Sequence, residues 1–369
     1  MKAGIITHYD VHNHGAHLQM YALARMLGDL GYEAKALRYS KNYDFMGGAK
    51  IKAKYDISPR SLPIYAKYLL KNGLRRSLYN YKKRKLLSRF RKAQDLIGPY
   101  FCEAEDLDAV VIGSDEIFST EAGPNPWFYG IGVPCENRIS YAASFGPTSL
   151  DDLKEQGLDA MVAAGLKDLK AISVRDRNSF DVVKHLVNKE AEITCDPVLL
   201  YGFREEQSEA ALKAFRRKHK ERYCIVYAYD DNMNDSVTVE SIRAYAQKRG
   251  LKVYSIGYYH EWCDENPILS PLELIAWFSS AEMVFTDTFH GTVLSLVTGT
   301  QFVSKIAKNA NKLGFLLEQY GLSRRLASDF SQIEEIASQR VDYRSVEKTV
   351  AEIRRDSAAF LKTALENLR

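Results

Sequence analysis

The stretch TDTFHGT, Thr286 to Thr292, puts a carboxylate, an imidazole and several hydroxyls between an apolar run, MVFT, and a second one, VLSLV. That context is a strand, a turn and the start of a helix, so backbone amides from Gly291 and Thr292 onward would form an anion-binding end. His290 beside them could hand a proton to a group next to a bound phosphate. The pattern equally fits a capping turn, in which Asp287 or Thr288 caps the helix and His290 satisfies a buried carbonyl. Both readings stay open at the level of pattern.

A second cluster follows the first apolar run: His8, His12, Asn13, His14, Gly15, His17 and Gln19. Half of the eight histidines lie here, which raises a metal site, but no partner set with ligand spacing accompanies them and no metal is expected. A polar, substrate-lining loop over a helix start fits the residues better. The remaining candidates stand where strands end: Gly113, Ser114 and Asp115; Ser144; Arg175 in ISVRD; and Asp196 before Pro197. An arginine at a strand end either grips a carboxylate or phosphate with both arms or forms a structural ion pair, here with Asp176 or Asp196. GxGxxG, Walker A and GxSxG patterns do not occur, which removes the commonest dinucleotide, nucleotide and hydrolase readings.

The elements that must hold these residues alternate. Short β-branched runs at 4–7, 33–37, 108–112, 138–145, 171–174 and 192–195 are separated by helix-patterned segments, including 15–30, 151–166 and 176–186. A polar, helix-prone segment at 203–221 follows, and then a second set: strands at 223–227, 252–256, 283–286 and 301–304, helices at 235–249, 271–279, 291–297, 311–320 and 345–368. This predicts an α/β protein of two doubly wound Rossmann-like domains facing a central cleft. The expected division is 1–202, a linker helix at 203–221, a second domain at 222–343 and a C-terminal helix at 344–369.

With 369 residues the chain is too long for one ordinary core, and 46% hydrophobic residues exclude disorder. The opening MKAGIITHYD lacks a signal peptide's pattern, no run reaches the roughly 20 apolar residues that span a bilayer, and five scattered cysteines form no CxxC. A cytoplasmic protein with reduced thiols is expected. The net charge of +4 conceals a basic insert at 57–94 with twelve Lys and Arg and no Asp or Glu. Interleaved with Tyr, Leu and Phe, it suits an anionic membrane surface, an acidic polymer or lipid-linked saccharide, or simply a solvated helical pair. Nucleic acid is not expected, because no recognition fold accompanies the charge.

In order along the chain, GIITHYDVHNHGAHLQMYAL, VVIGSDEIF, SYAASFG, ISVRD, CDPVLL, TDTFHGTVLSL and NANKLGFLLEQYGL resemble the polysaccharide pyruvyl transferase family over roughly residues 1–325. The resemblance implies a fold like that of the two-domain GT-B glycosyltransferases, with the last helix crossing back to the first domain. It implies transfer of pyruvate from phosphoenolpyruvate to two sugar hydroxyls, giving a ketal on a bacterial surface polysaccharide or its lipid-linked precursor, without a further cofactor. On this reading His290 is the acid or base, Gly291 and Thr292 hold anionic oxygens, Arg175 holds carboxylate or phosphate, Asp115 or Asp287 orients the acceptor or His290, and Asn13 with Gln19 lines the acceptor side. Thr288 stands where some ketal-forming members carry arginine, and Glu116 and Phe118 where Gln and Trp are frequent. A glycosyltransferase using a nucleotide sugar and a non-catalytic saccharide-binding member are the alternatives.

Overall fold

The computed structural model describes residues 1–39, 62–121, 125–306 and 310–368. Residues 57–61 of the basic insert and Arg369 of the last helix lie outside the described residues.

Two wholly parallel sheets carry the molecule. The first comprises β1 (Lys2–Ile6), β2 (Glu33–Arg38), β3 (Ile97–Tyr100), β4 (Ala109–Ile112), β5 (Arg138–Ala143), β6 (Ala171–Val174) and β7 (Glu192–Ile193), in the order β3-β2-β1-β4-β5-β6-β7. The second comprises β8 (Tyr223–Tyr227), β9 (Lys252–Ser255), β10 (Met283–Thr286), β11 (Phe302–Lys305) and β12 (Leu326–Ala327), in the order β12-β11-β10-β8-β9. Strands such as AVVI in β4 and MVFT in β10 are buried along their whole length, as sheets covered by helices on both faces require. In each sheet the winding reverses once, between β1 and β4 and between β8 and β10. A crevice opens at such a point beyond the strands' carboxyl ends, and the polar residues of the two first-named motifs lie there.

One apolar cluster crosses from half to half. Leu18 and Tyr21, on the helix His14–Asp29, share it with Ile225 and Tyr227 of β8 and Leu294 of the helix Phe289–Thr298. The last helix, Tyr343–Glu366, begins in this cluster with Val346 and Val350. It ends against the first sheet, where Leu361, Ala364 and Leu365 pack with Ile5, Val111 and Tyr141. Each buried leucine of that end contributes about 1.5–3 kcal/mol. Ser357 midway accepts a hydrogen bond from the Cys195 amide at 2.9 Å.

The structure corrects two helix boundaries. The single helix expected at 151–166 is two, Leu150–Glu155 and Asp159–Asp168, because Gly157 between them takes φ +66°. The helix expected from Gly291 opens instead at Phe289, with Thr288 as its cap. The basic insert forms the helix Leu62–Ala93, broken at Gly73, where φ is +70°.

Candidate functional site between the two sheets

The central feature is a buried arginine at the end of β6. The Arg175 side chain is 2% exposed and keeps its charge by pairing: Nη1 donates to Asp196 and Nη2 to Asp115, each at 2.9 Å. Its guanidinium lies 4.3 Å from the Phe289 ring centre, a cation–π contact reaching the second half. Asp176, its sequence neighbour, is occupied elsewhere: it accepts from Ser144 Oγ at 2.6 Å and caps the helix Arg177–Val187 through the Ser179 amide. Both arms of Arg175 are therefore engaged by protein carboxylates, and a two-armed grip on a ligand is corrected to a structural ion triad. Its Nε has no hydrogen-bond partner among the described residues.

Asp196 does several things at once. It caps the short helix Pro197–Tyr201 through the Val198 amide, accepts from Ser114 Oγ at 3.2 Å, and faces His290 Nε2 at 3.6 Å. Burial opposes its charge, but His290 and Arg175 outweigh burial and hold its carboxyl below the usual carboxylate range. Burial likewise opposes ionisation of Asp115, and Arg175, His290 and His8 hold its carboxyl well below that range. The carboxylate that faces His290 is thus Asp196, not Asp115 or Asp287.

His290 stands in the first turn of its helix, 5% exposed, and its Nε2 lacks a hydrogen-bond partner among the described residues. It packs on the other half through Gly15: a Cβ at Gly15 would fall 2.3 Å from His290 Cγ. Only glycine permits that approach. Gly291 is needed for a different reason, since a Cβ there would fall 2.1 Å from Thr286 Oγ1. The Gly291 amide donates to Thr288 Oγ1 at 2.9 Å, and the Thr292 hydroxyl is shared with Thr288 O and Ser304 Oγ. Gly291 and Thr292 are consumed internally, so the first-turn amides without an intrahelical acceptor belong to Phe289 and His290.

Arg175, His290, Asp115 and Asn13 line one cavity of about 140 Å³, together with Glu116, Tyr227 and Phe289. Tyr227 Oη there is also without a hydrogen-bond partner among the described residues. A larger cavity of about 610 Å³ adjoins it and shares Glu116 and Tyr229; Asp231, Asn232, Asp235, Asp287 and Lys305 line it. Asp287 accepts there from the Tyr229 amide and from Asn232, and burial pushes its carboxyl up. Asn13 caps the helix His14–Asp29.

The other candidates hold the rim. Gln19 is wholly buried, donating to Thr7 Oγ1 at 2.7 Å and accepting from the Ser114 amide at 3.1 Å, so it does not line a substrate surface. Ser144 serves Asp176, and Gly113, with φ +135°, sits where a Cβ would meet Tyr141 O at 2.1 Å. His8, His14 and His17 each bond a backbone carbonyl, and His8 also lines the small cavity. His14 Nε2 donates across the cleft to Leu269 O at 2.8 Å, and burial pushes its ring down to about 3, so it is neutral at pH 7. His17 donates to Asn13 O, and His8 Nε2 to Glu116 O. Among the described residues no group of three or more His, Cys, Asp or Glu could hold a metal ion.

Sequence reasoning missed Lys312. From the helix Ala310–Gln319 it reaches the first half, buried to 3% exposure, and pairs with Glu116; burial pushes its ammonium down to about 8 despite Asp115. It lies in NANKLGF, but only the folded chain brings it to the cleft.

Two parallel sheets facing each other across a clamped cleft are the arrangement of GT-B proteins, and two solved structures share it. A UDP-GlcNAc 2-epimerase from Neisseria meningitidis, bound to UDP-GlcNAc, is 11% identical with a TM-score of 0.53, covering 99% of this chain and 100% of that one. A UDP-GlcNAc 2-epimerase from Methanocaldococcus jannaschii is 9% identical with a TM-score of 0.51, covering 93% of each chain. At such identities the likeness concerns the fold alone. No curated protein matches the chain by sequence. Residues 13–305 match the model of the polysaccharide pyruvyl transferase family, and the chain belongs to that family. It is accordingly a transferase.

Two outcomes follow from the geometry. Gly15→Ala should press on His290 and destabilise the chain by about 1–3 kcal/mol, read as a lower urea midpoint, and His290→Gly in the same chain should recover part of the loss. Because Asp115 and Asp196 are held below their unfolded values, the stability they contribute is complete above about pH 4 and is lost as pH falls through their folded values. Asp196→Asn should flatten that acid limb in a pH series of unfolding midpoints.

Proposed function

We propose that the chain transfers the pyruvyl group of phosphoenolpyruvate to two hydroxyls of a sugar in a bacterial cell-surface polysaccharide or its lipid-linked precursor, forming a ketal. The observation that carries this reading is one cavity lined by His290, Arg175 and Tyr227, whose Nε2, Nε and Oη lack a hydrogen-bond partner among the described residues. Buried polar atoms are rarely left unpaired, and a set of them around a cavity suits a small polar ligand. The donor has a carboxylate and a phosphate. Arg175 Nε, Lys312 and the Phe289 and His290 amides supply positive potential for both.

His290 acts as general acid. Its Nε2 lies 3.6 Å from Asp196, in a cluster where Asp115 and Asp196 meet Arg175 and Glu116 meets Lys312. Transfer of a proton from His290 to the donor's methylene carbon makes the methyl group and leaves an oxocarbenium-like centre at the next carbon. One sugar hydroxyl bonds to this centre and its proton returns to His290. The second hydroxyl then displaces phosphate, which leaves with the remaining proton, so atoms and charge balance. The larger cavity, with Asp231, Asn232, Asp235 and Asp287, has the hydrogen-bonding groups and the room for the sugar. The protein needs no resident cofactor for these steps.

Phosphoenolpyruvate should raise the unfolding temperature of the chain and a nucleotide sugar should not. His290→Ala should lower acceptor-dependent phosphate release from phosphoenolpyruvate by about 10²–10⁴-fold while keeping the thermal response to the donor. Protection by UDP-GlcNAc without protection by phosphoenolpyruvate would establish the nucleotide-sugar reading instead.

A further inference from the structure

The helix Leu62–Ala93 separates its faces cleanly after the break at Gly73. Positions 76, 79, 80, 83, 87 and 90 recur at helical spacing and turn inward. Arg76 pairs with Asp230 at 3.2 Å and with Asp231 at 2.8 Å, Asn80 donates to Asp230, and Lys83 donates to Gly257 O at 2.9 Å. Leu87 and Phe90 are buried. The middle of the helix is therefore anchored to the second half, on the loop whose Asp231 lines the larger cavity, while Phe90 and Arg91 near its end hold it to the first half.

The opposite face is apolar and basic together. Leu74 is 80% exposed, Leu78 53% and Tyr81 63%, and all lie within about 60° on the helical wheel. Before the break, Leu70 is 87% exposed, with Tyr68 and Leu69 partly so. Lys67, Lys71, Arg75, Lys82, Arg84 and Lys85 are exposed around them; Arg75 pairs with Glu261 at 3.8 Å. Leucines at the outermost positions of a solvent-facing helix cost solubility and need a partner.

We infer that this face docks on an anionic lipid surface, with Leu70, Leu74 and Leu78 entering the headgroup region and the surrounding lysines and arginines on lipid phosphates. Charge complementarity selects the occupant: the segment 57–94 has no acidic residue, so a second copy of the same face would be repelled. The leucines separate lipid from a soluble acidic polymer, because a polyanion would use the basic side chains and leave the leucines in water. No helix among the described residues is long and apolar enough to cross a membrane, so the contact is peripheral. The anchoring through Arg76 and Asp231 then holds the larger cavity close to the lipid. This inference does not depend on the identity of the donor.

Flotation of the purified full-length chain tests it, with vesicles of phosphatidylcholine alone and of phosphatidylcholine and phosphatidylglycerol in equal parts. The chain should float with the mixed vesicles only, and less so at high salt. The triple variant Leu70→Ser, Leu74→Ser, Leu78→Ser should bind them at least about tenfold more weakly, with an unchanged unfolding midpoint and unchanged retention on dextran sulfate. Retention on dextran sulfate without flotation, undiminished flotation of the triple variant, or a dimer of the wild-type chain that the triple substitution disperses would each overturn the inference.

Discussion

The cleft depends on one buried cation. Arg175 can be charged at 2% exposure only because Asp115 and Asp196 meet its two arms. Removing one partner of such a pair leaves an uncompensated charge and costs about 3–5 kcal/mol. The triad joins the end of β6 to the turn after β4 and the segment after β7, so three carboxyl ends of the first sheet share a single geometry. Through Asp196 it also governs Ser114, the helix at Pro197 and the carboxylate that His290 faces. The arginine is thus tied, through Asp196, to the histidine of the opposite half.

The second constraint is close approach. Gly15 lets the His290 ring lie against the backbone of the first half, His14 bonds across to Leu269, and Lys312 reaches back to Glu116. An apolar cluster continues beneath these contacts, and the last helix spans both halves. Polar clamps above an apolar floor leave a small cavity between the sheets and a larger one beside it. The basic helix joins the same framework through Asp230 and Asp231, and Asp231 lines the larger cavity.

Much of this architecture was legible because strand runs and helix periods are local. The alternation of β1, β2 and β4 through β7, and of β8 through β11, follows from short apolar runs between turn residues; β3, the IGPY at Ile97–Tyr100, has no such run and was missed. The placement of Asp115, Arg175, Asp196 and His290 at strand ends follows from their positions after those runs. Hydrogen-bond partners are not local, and there the reading failed. Gln19 looked like a lining residue and is spent on Thr7 and Ser114; Gly291 looked like an anion site and is a packing glycine against Thr286. Arg175 left two readings open, and the partners Asp115 and Asp196 decided between them. Lys312 carried no local signal, because its partner Glu116 is nearly two hundred residues away. Leu70, Leu74 and Leu78 were visible in the sequence, but only the inward face of Arg76, Asn80 and Lys83 shows that the leucines point out.

The central claim is that His290, held against Gly15 and facing Asp196, meets the donor in the small cavity. The imidazole nitrogen resonances of His290 in the ¹⁵N-labelled chain, assigned by comparison with His290→Ala, report this directly. The account predicts that they shift when phosphoenolpyruvate is added and stay in place with UDP-GlcNAc. Resonances that ignore phosphoenolpyruvate at saturating concentration, or that move only with the nucleotide sugar, would contradict it.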